Sequence, residues 1–437
     1  MPIGRRRFLR GAAGTGAALW LGAKAGQPAR AAVPSSSGID HIVVVTMENR
    51  SFDHFLGWLP NADGVRSTKP RFHSVDGGLV GNYHLTEKMG CAHPDPDHSY
   101  EGGRFQLHGG RLDNFARGNN DAFAVGYYNA SDRPFMSRLA MNYTTCDRYF
   151  CGIMAETYPN RFVTHAGQTD RLHNSTTTAG MKTIWDRLNH PGGPTGRYYF
   201  SDVPFLALFG AKYIPISAPA PQFLIDAATG NLPNVSYLDP RFLDEGSGSS
   251  GDDHPHADIR AGDAFLAEAF HAVATGPGWP RTVFVLTYDE WGGFYDHVVP
   301  PRVTATSKVD KDLVGGRALL GFRVPTIIAS PFTKGDPRNP RVVHDLFDHT
   351  SILKFIQSTF HLAPLTARDA STRRDDPGDL STVLARGRGD THIPADIPAS
   401  LPPPLVVPCS PLNPSVLYKN DWEDLRASDL MQGWSAR

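Results

Sequence analysis

Four oxygen-bearing side chains follow two apolar runs in this 437-residue chain: Glu48 and Asn49 after Ile42 to Val45, and Asp289 and Glu290 after Thr282 to Thr287. Carboxylates gathered in one place repel and resist ionisation unless a cation offsets them. An all-oxygen donor set suits a hard divalent metal ion, with calcium, magnesium or manganese favoured and zinc or iron left open. A hydroxyl invites a related reading. Thr157, in Glu156-Thr157-Tyr158-Pro159-Asn160-Arg161, stands two residues before a proline suited to the first turn of a helix. It reads either as a capping threonine or as a nucleophile at a positive helix N-terminus, where an incoming phosphate is also stabilised. The plainer alternative for the four donors is two unrelated solvated turns.

The elements that must position these groups are legible as runs of β-branched residues. Ile42-Val43-Val44-Val45 and Thr282-Val283-Phe284-Val285-Leu286-Thr287 read as strands buried on both faces, as in a parallel α/β sheet. Ligands of such sheets bind beyond the carboxyl ends of the strands. A third buried strand is expected over Val324 to Ala329, and shorter ones over Arg197 to Phe200 and Val235 to Leu238. Helices are expected at Met136 to Met141, Met181 to Leu188 and Gln222 to Thr229, after Asp258, and from His349 onward. Residues 60–130 lack sustained periodicity and read as a long loop region, within which His93 to Ser99 is dense in potential ligands. The predicted organisation is a catalytic domain over 38–365, with a Pro-rich C-terminal segment over 366–437 packed on it.

A formal net charge of −1 gives no basic face for nucleic acid, so no nucleic-acid partner is expected. Residues 1–31 read as an export signal. Arg5-Arg6-Arg7-Phe8-Leu9-Arg10 is a twin-arginine pattern, Gly11 to Ala23 is an apolar small-residue stretch, and Ala29-Arg30-Ala31 is an A-x-A cleavage site. The expected location is secreted or cell-envelope. Of the four cysteines, Cys91, Cys146, Cys151 and Cys409, none forms a CxxC pair. Up to two disulfides and three connectivities are open, with Cys146–Cys151 the cheapest local loop.

Seven segments together resemble the bacterial and plant non-specific phospholipase C family, which is similar to bacterial acid phosphatases. They are Met47 to Gly57, Asp95 to Ser99, Thr157 to Arg161, Asp252 to Pro255, Tyr288 to Val298, Arg323 to Phe332 and Asp348 to Ile352. The resemblance implies an α/β fold with a mostly parallel central sheet and helices on both faces, an alkaline-phosphatase-like three-layer sandwich. It implies Glu48, Asn49, Asp289 and Glu290 as metal ligands, with Thr157 as nucleophile completing the cluster. It also implies a role for His254 near the phosphoryl oxygens or the leaving group. Asp202 falls in a similar YFSDVPF segment. The second histidine of the family's His-Pro-x-His-Asp pattern is displaced here, in His254-Pro255-His256-Ala257-Asp258.

The chemistry expected is in-line attack by Thr157 on phosphorus to give a phospho-threonine, then hydrolysis by water, with His254 or His98 serving the leaving alkoxide. Diacylglycerol is released if the substrate is a phospholipid, which also implies transient contact with a membrane surface. His98, His297 and His349 alternatively read as histidines that bond backbone groups. Arg161, Asp202 and His297 are possible phosphate-binding residues, Arg161 being equally suited to an ion pair. An acid phosphatase using the same site on monoesters is the nearest rival, and a catalytically silent exported binding protein is a rival of another class.

Overall fold

The computed structural model describes residue 32 and residues 34–65, 68–69, 71–385, 387, 389–405, 408–409 and 421–434. The export signal expected over 1–31 lies outside these residues. The core is one eight-stranded sheet. In chain order its strands are β1 (His41–Met47), β2 (Thr144–Cys146), β3 (Gly196–Phe200), β4 (Ser217–Pro219), β5 (Val235–Asp239), β6 (Thr282–Tyr288), β7 (Ile327–Ala329) and β8 (Val342–Val343). Their spatial order is β8-β2-β7-β6-β1-β5-β3-β4. β1 lies between β5 and β6 and is parallel to both, with Met47 opposite Tyr288. β7 is antiparallel to both its neighbours, so among the described strands of this sheet it alone runs against the rest.

β1 and β6 are buried along their whole length, as two-faced cover requires. The main helices are α1 (Phe52–Leu56), α2 (Tyr100–Leu107), α3 (Pro134–Asn142), α4 (Thr157–Ala166), α5 (Ala220–Thr229), α6 (Ile259–Ala274), α7 (His349–Phe360) and α8 (Asp421–Ala427). Successive strand residues point to opposite faces. On β3, Tyr198 meets His165 of α4 while Tyr199 meets Phe223 of α5. Helices therefore cover both faces, and the expected α/β class with a mostly parallel sheet is what the chain forms.

Three local expectations change. Met181 to Leu188 yields only a 3-10 turn, Ile184–Asp186: a capping box of Thr183 and Asp186 starts it only at Ile184, and Asn189 leaves the helical region at a φ of 65°. The Val324 run becomes a continuous strand only from Ile327, since Pro325 has no N–H to donate. The loop region holds α2, which the sequence disguises with Gly102 and Gly103 inside it. A Cβ on Gly103 would come within 2.5 Å of Met154 and 2.9 Å of Trp291, so the glycine permits a close approach.

Cys91 and Cys409 form a disulfide, while Cys146 and Cys151 are free and buried. The local Cys146–Cys151 loop is thus not formed. The backbone N–H groups of Cys146 and Cys151 bond Thr326 and Phe322, four positions apart on the facing segment, which separates the thiols. No helix among the described residues is long and apolar enough to cross a membrane.

Candidate active site

Parallel register brings the carboxyl ends of β1 and β6 together. Asp289 N donates to Met47 O at 3.1 Å, and Asn49 N reaches Asp289 Oδ1 at 3.2 Å. Asn49 takes a φ of 60°, a left-handed turn that asparagine tolerates better than most residues. Gly292 shapes the next turn, since a Cβ there would meet Asn49 O at 1.9 Å. Glu48, Asn49, Asp289 and Glu290 are all fully buried.

Arg161 of α4 lies among the carboxylates. Its Nη2 is 3.2 Å from Glu48 Oε1, its Nη1 is 3.0 Å from Asp239 Oδ1, and its Nε is 3.0 Å from Asp289 Oδ2. Asp239, the last residue of β5, is one site carboxylate that sequence reasoning missed; its signal was its place at a third strand end. Arg161 therefore acts here as a buried ion-pair hub. Even so, burial raises Glu48, Asp289 and Glu290 above the ordinary carboxylate range, reinforced at Glu48 by the neighbouring Asp289. One guanidinium does not balance this many carboxylates.

Thr157 is the first residue of α4, with Pro159 in the same turn and Glu156 at the cap. Its Oγ1 donates to Asn49 Oδ1 at 3.2 Å, so the side chain faces the acidic cluster. The approach is rigid: Asn160 accepts from Ile153 N and donates to Ala155 O, fixing the loop that leads into the helix. Glu156 in turn accepts from Asn174 N at 2.5 Å.

A second group borders the first. Ligand atoms of Asp95, His98 and His254 converge, as do those of Glu48, Glu245 and Asp252. His254 Nε2 lies 3.7 Å from both Asp95 Oδ2 and Glu245 Oε2. Burial, followed by the nearby His98, pushes the His254 imidazole well below its ordinary value and keeps it neutral. His98 donates from Nδ1 to Pro96 O at 2.8 Å, which fixes its tautomer and ring. Burial lifts Asp252 to about 7. Arg50 holds the loop from beneath, donating to Asp253 O and His254 O.

The remaining candidates lie elsewhere. His297 is not brought to the cluster; it bonds Asp53 at 2.6 Å and Asp63 at 3.0 Å beside Arg323. Asp202 accepts the backbone N–H groups of Val203, Phe242 and Leu243, shaping a loop that flanks the site. His349 donates to Asp289 O at 2.5 Å, a backbone-bonding histidine.

The residues fit a hard cation. The donors are oxygen atoms, their carboxylates are buried in excess of the nearby positive charge, and Glu290 Oε1 has no hydrogen-bond partner among the described residues. Glu48, Asn49 and Glu290 are best placed to hold it. Asp289 Oδ2 is engaged by Arg161, and its Oδ1 accepts from the N–H groups of Asn49 and Glu290.

Known proteins share this arrangement of sequence. Non-specific phospholipase C1 of Arabidopsis thaliana is 32% identical over 373 residues, covering 76% of this chain and 69% of that protein. Phospholipase C B of Mycobacterium tuberculosis is 28% identical over 432 residues, covering 79% and 77%. A solved protein in the alkaline phosphatase superfamily from Vibrio parahaemolyticus superposes with a TM-score of 0.38 at 10% identity, over 79% of this chain and 72% of that one. The profile of the phosphoesterase family matches residues 39–201 and 194–363, a span that holds both strand ends, Thr157 and His254. The chain belongs to the phosphoesterase family.

Proposed function

We propose that this phosphoesterase is an exported phospholipase C that cleaves glycerophospholipids on the glycerol side of the phosphate through a phospho-threonine. The observation that carries the reading is Thr157 Oγ1, at a helix N-terminus, hydrogen-bonded to Asn49 within the buried carboxylate cluster. Homologues named phospholipase C support the substrate class.

A divalent cation held by Glu48, Asn49 and Glu290, with Asp289 beside them, would supply Lewis acidity, favouring the threonine alkoxide and polarising a phosphoryl oxygen. The chain's own residues do the rest. Asn49 Oδ1 accepts from the Thr157 hydroxyl and aims a lone pair of Oγ1 toward the substrate. The partial positive charge at the N-terminus of α4 favours the phosphoryl oxygens, the N–H groups of Tyr158 and Asn160 being taken up by Asn174 Oδ1 and Glu156 O. The Thr157 hydroxyl gives up its proton to solvent water, Oγ1 attacks phosphorus in line, the P–O bond to diacylglycerol breaks, and protonated His98 gives the leaving alkoxide its proton. His254, kept neutral, donates a hydrogen bond to the phosphoryl group. A water then attacks the phospho-threonine, His98 takes its proton, the P–Oγ1 bond breaks to free the phosphorylated head group, and Thr157 takes a proton back from solvent water.

A rim of exposed apolar side chains supports a lipid substrate. Phe105 of α2 and Val299, Leu313 and Val314 are exposed on two segments joined by the Arg104–Asp312 ion pair at 2.9 Å. α2 begins two residues after His98, so this rim would rest on a membrane surface with the site behind it.

The test is to offer the purified protein phosphatidylcholine and, separately, p-nitrophenyl phosphate, with and without chelator, alongside Thr157→Ala. Diacylglycerol and phosphocholine formed only with Thr157 intact is the expected result. Turnover of the monoester without diacylglycerol would make the protein a phosphatase.

A further inference from the structure

The C-terminal helix α8 enters the site from a part of the chain beyond the family match. Trp422 is 2% exposed and donates from Nε1 to Glu48 Oε2 at 3.3 Å. Its ring lies flat on Phe242, with centroids 3.9 Å apart and planes 2° from parallel. The Phe242 backbone is fixed by Asp202, which accepts from Phe242 N at 3.1 Å and Leu243 N at 2.9 Å. Glu48 is thus held at both carboxylate oxygens, by Arg161 at Oε1 and by Trp422 at Oε2. One anchor leaves a carboxylate free to swing about its terminal bond; two anchors fix its plane.

The same segment grips the rest of the site. Asp421 O accepts from Tyr158 OH at 2.6 Å, and Asp421 Oδ2 accepts from Asn174 Nδ2 at 2.7 Å, beside the first turn of α4. Glu423 Oε1 accepts from Asp244 N at 3.0 Å. Cys409, bonded covalently to Cys91, donates its backbone N–H to Ser247 O at 2.6 Å. Glu423 and Cys409 therefore flank the turn that carries Glu245 and leads to Asp252 and His254.

We propose that Trp422 is a positioning residue for Glu48, and that the Cys91–Cys409 disulfide keeps the C-terminal segment docked so that Trp422 stays there. The inference rests on Glu48 serving in the catalytic centre. Its expected signature is a change in cation affinity and in kcat without a matching change in fold stability.

The decisive variant is Trp422→Phe, which keeps the stack on Phe242 and removes only the N–H. Binding of Mn²⁺ to the metal-free protein, followed by calorimetry, should weaken about tenfold, and kcat should fall by a similar factor with KM little changed. The thermal midpoint should stay close to the parent's. The double variant Cys91→Ser/Cys409→Ser should shift both quantities the same way and move tryptophan emission to the red. That shift should be missing when Trp422→Phe is added. Unchanged Mn²⁺ affinity in Trp422→Phe would overturn the proposal, and so would a rise in kcat, which would mark α8 as an obstruction. Thr157→Ala separates this from the catalytic reading: an active Thr157→Ala would sink the phospho-threonine while leaving a weakened Mn²⁺ site in Trp422→Phe standing.

Discussion

The hydroxyl of Thr157 and the amide oxygen of Asn49 meet at 3.2 Å, although the two residues are 108 positions apart and belong to α4 and to the end of β1. The contact joins a helix N-terminus to a strand end. The threonine is not the cap, a place that Glu156 takes; its hydroxyl is spent on the strand end instead.

Thr157→Ala should abolish turnover, with at least about a thousandfold loss in kcat, while Thr157→Ser should keep a substantial fraction. Rapid quenching with radiolabelled substrate should trap phosphate on the parent and on the serine variant, and none on alanine. Phosphate trapped on the alanine protein would place the nucleophile elsewhere.

Arg161→Met leaves Glu48, Asp239 and Asp289 buried without their cation. A loss of about 3–5 kcal/mol is expected from urea denaturation. Burial already raises all three carboxyls, and they go higher once the arginine is removed. A raised carboxyl pKa favours folding only while the group stays protonated, so the loss should be greater at pH 8 than at pH 5.5. Equal losses at the two pH values would show that the carboxylates do not depend on Arg161.

His297 offers a pH signature away from the site. Burial opposes its charge, but the hydrogen bond and charge of Asp53, then Asp296, lift it from 6.5 to about 9. A histidine raised in the folded state stabilises fully below its unfolded value near 6.5, and that stability is lost as pH climbs through about 9. Thermal midpoints should fall across this window in the parent and fall less in His297→Gln. Parallel profiles would dismiss the ion pair.

Gly292 and Gly315 separate strain from collision. Both have positive φ, 63° and 57°, but a Cβ on Gly292 would stand 1.9 Å from a backbone atom, Asn49 O, whereas one on Gly315 would meet nothing within 4 Å. Gly315→Ala should cost about 1–2 kcal/mol, the left-handed penalty alone. Gly292→Ala should displace Asn49 and remove activity even where the protein still folds. Matching effects, read by urea denaturation and turnover, would mean that Asn49 tolerates the shift.

Thiol counting tests the cysteine assignment directly. Unfolded without reductant, the protein should react with two equivalents of a thiol reagent, at Cys146 and Cys151, and peptide mapping should find Cys91 joined to Cys409. In the native state both free thiols should stay silent, since burial excludes the reagent and pushes their pKa values up.

What could be read in the sequence was local. The buried strands at Ile42 and Thr282 announced themselves by unbroken β-branched runs, and the acidic pairs after them by position. Thr157 was legible because Pro159 marks a helix's first turn. Asp239 and Trp422 were not, for different reasons. Asp239 ends a five-residue strand as its conspicuous polar residue, a pattern shared by many surface turns. Trp422 sits 374 positions from Glu48, and no periodicity encodes a contact between a catalytic strand end and a distant helix. His297 lay in a motif beside Asp289 and Glu290, yet the turn at Gly292 and Gly293 carries it into the Asp53–Arg323 cluster.

The bond between Cys91 and Cys409 closes a ring over a sequence separation of 318 residues, and Leu405, at 90% exposure, lies inside that ring. A protease that cuts beside Leu405 opens the ring but does not release the shorter piece, which stays attached through sulfur with α8 still in place. Such a molecule would migrate as one band without reductant and as two with it. Nicking there yields a two-chain enzyme whose halves part only when the sulfur link is broken.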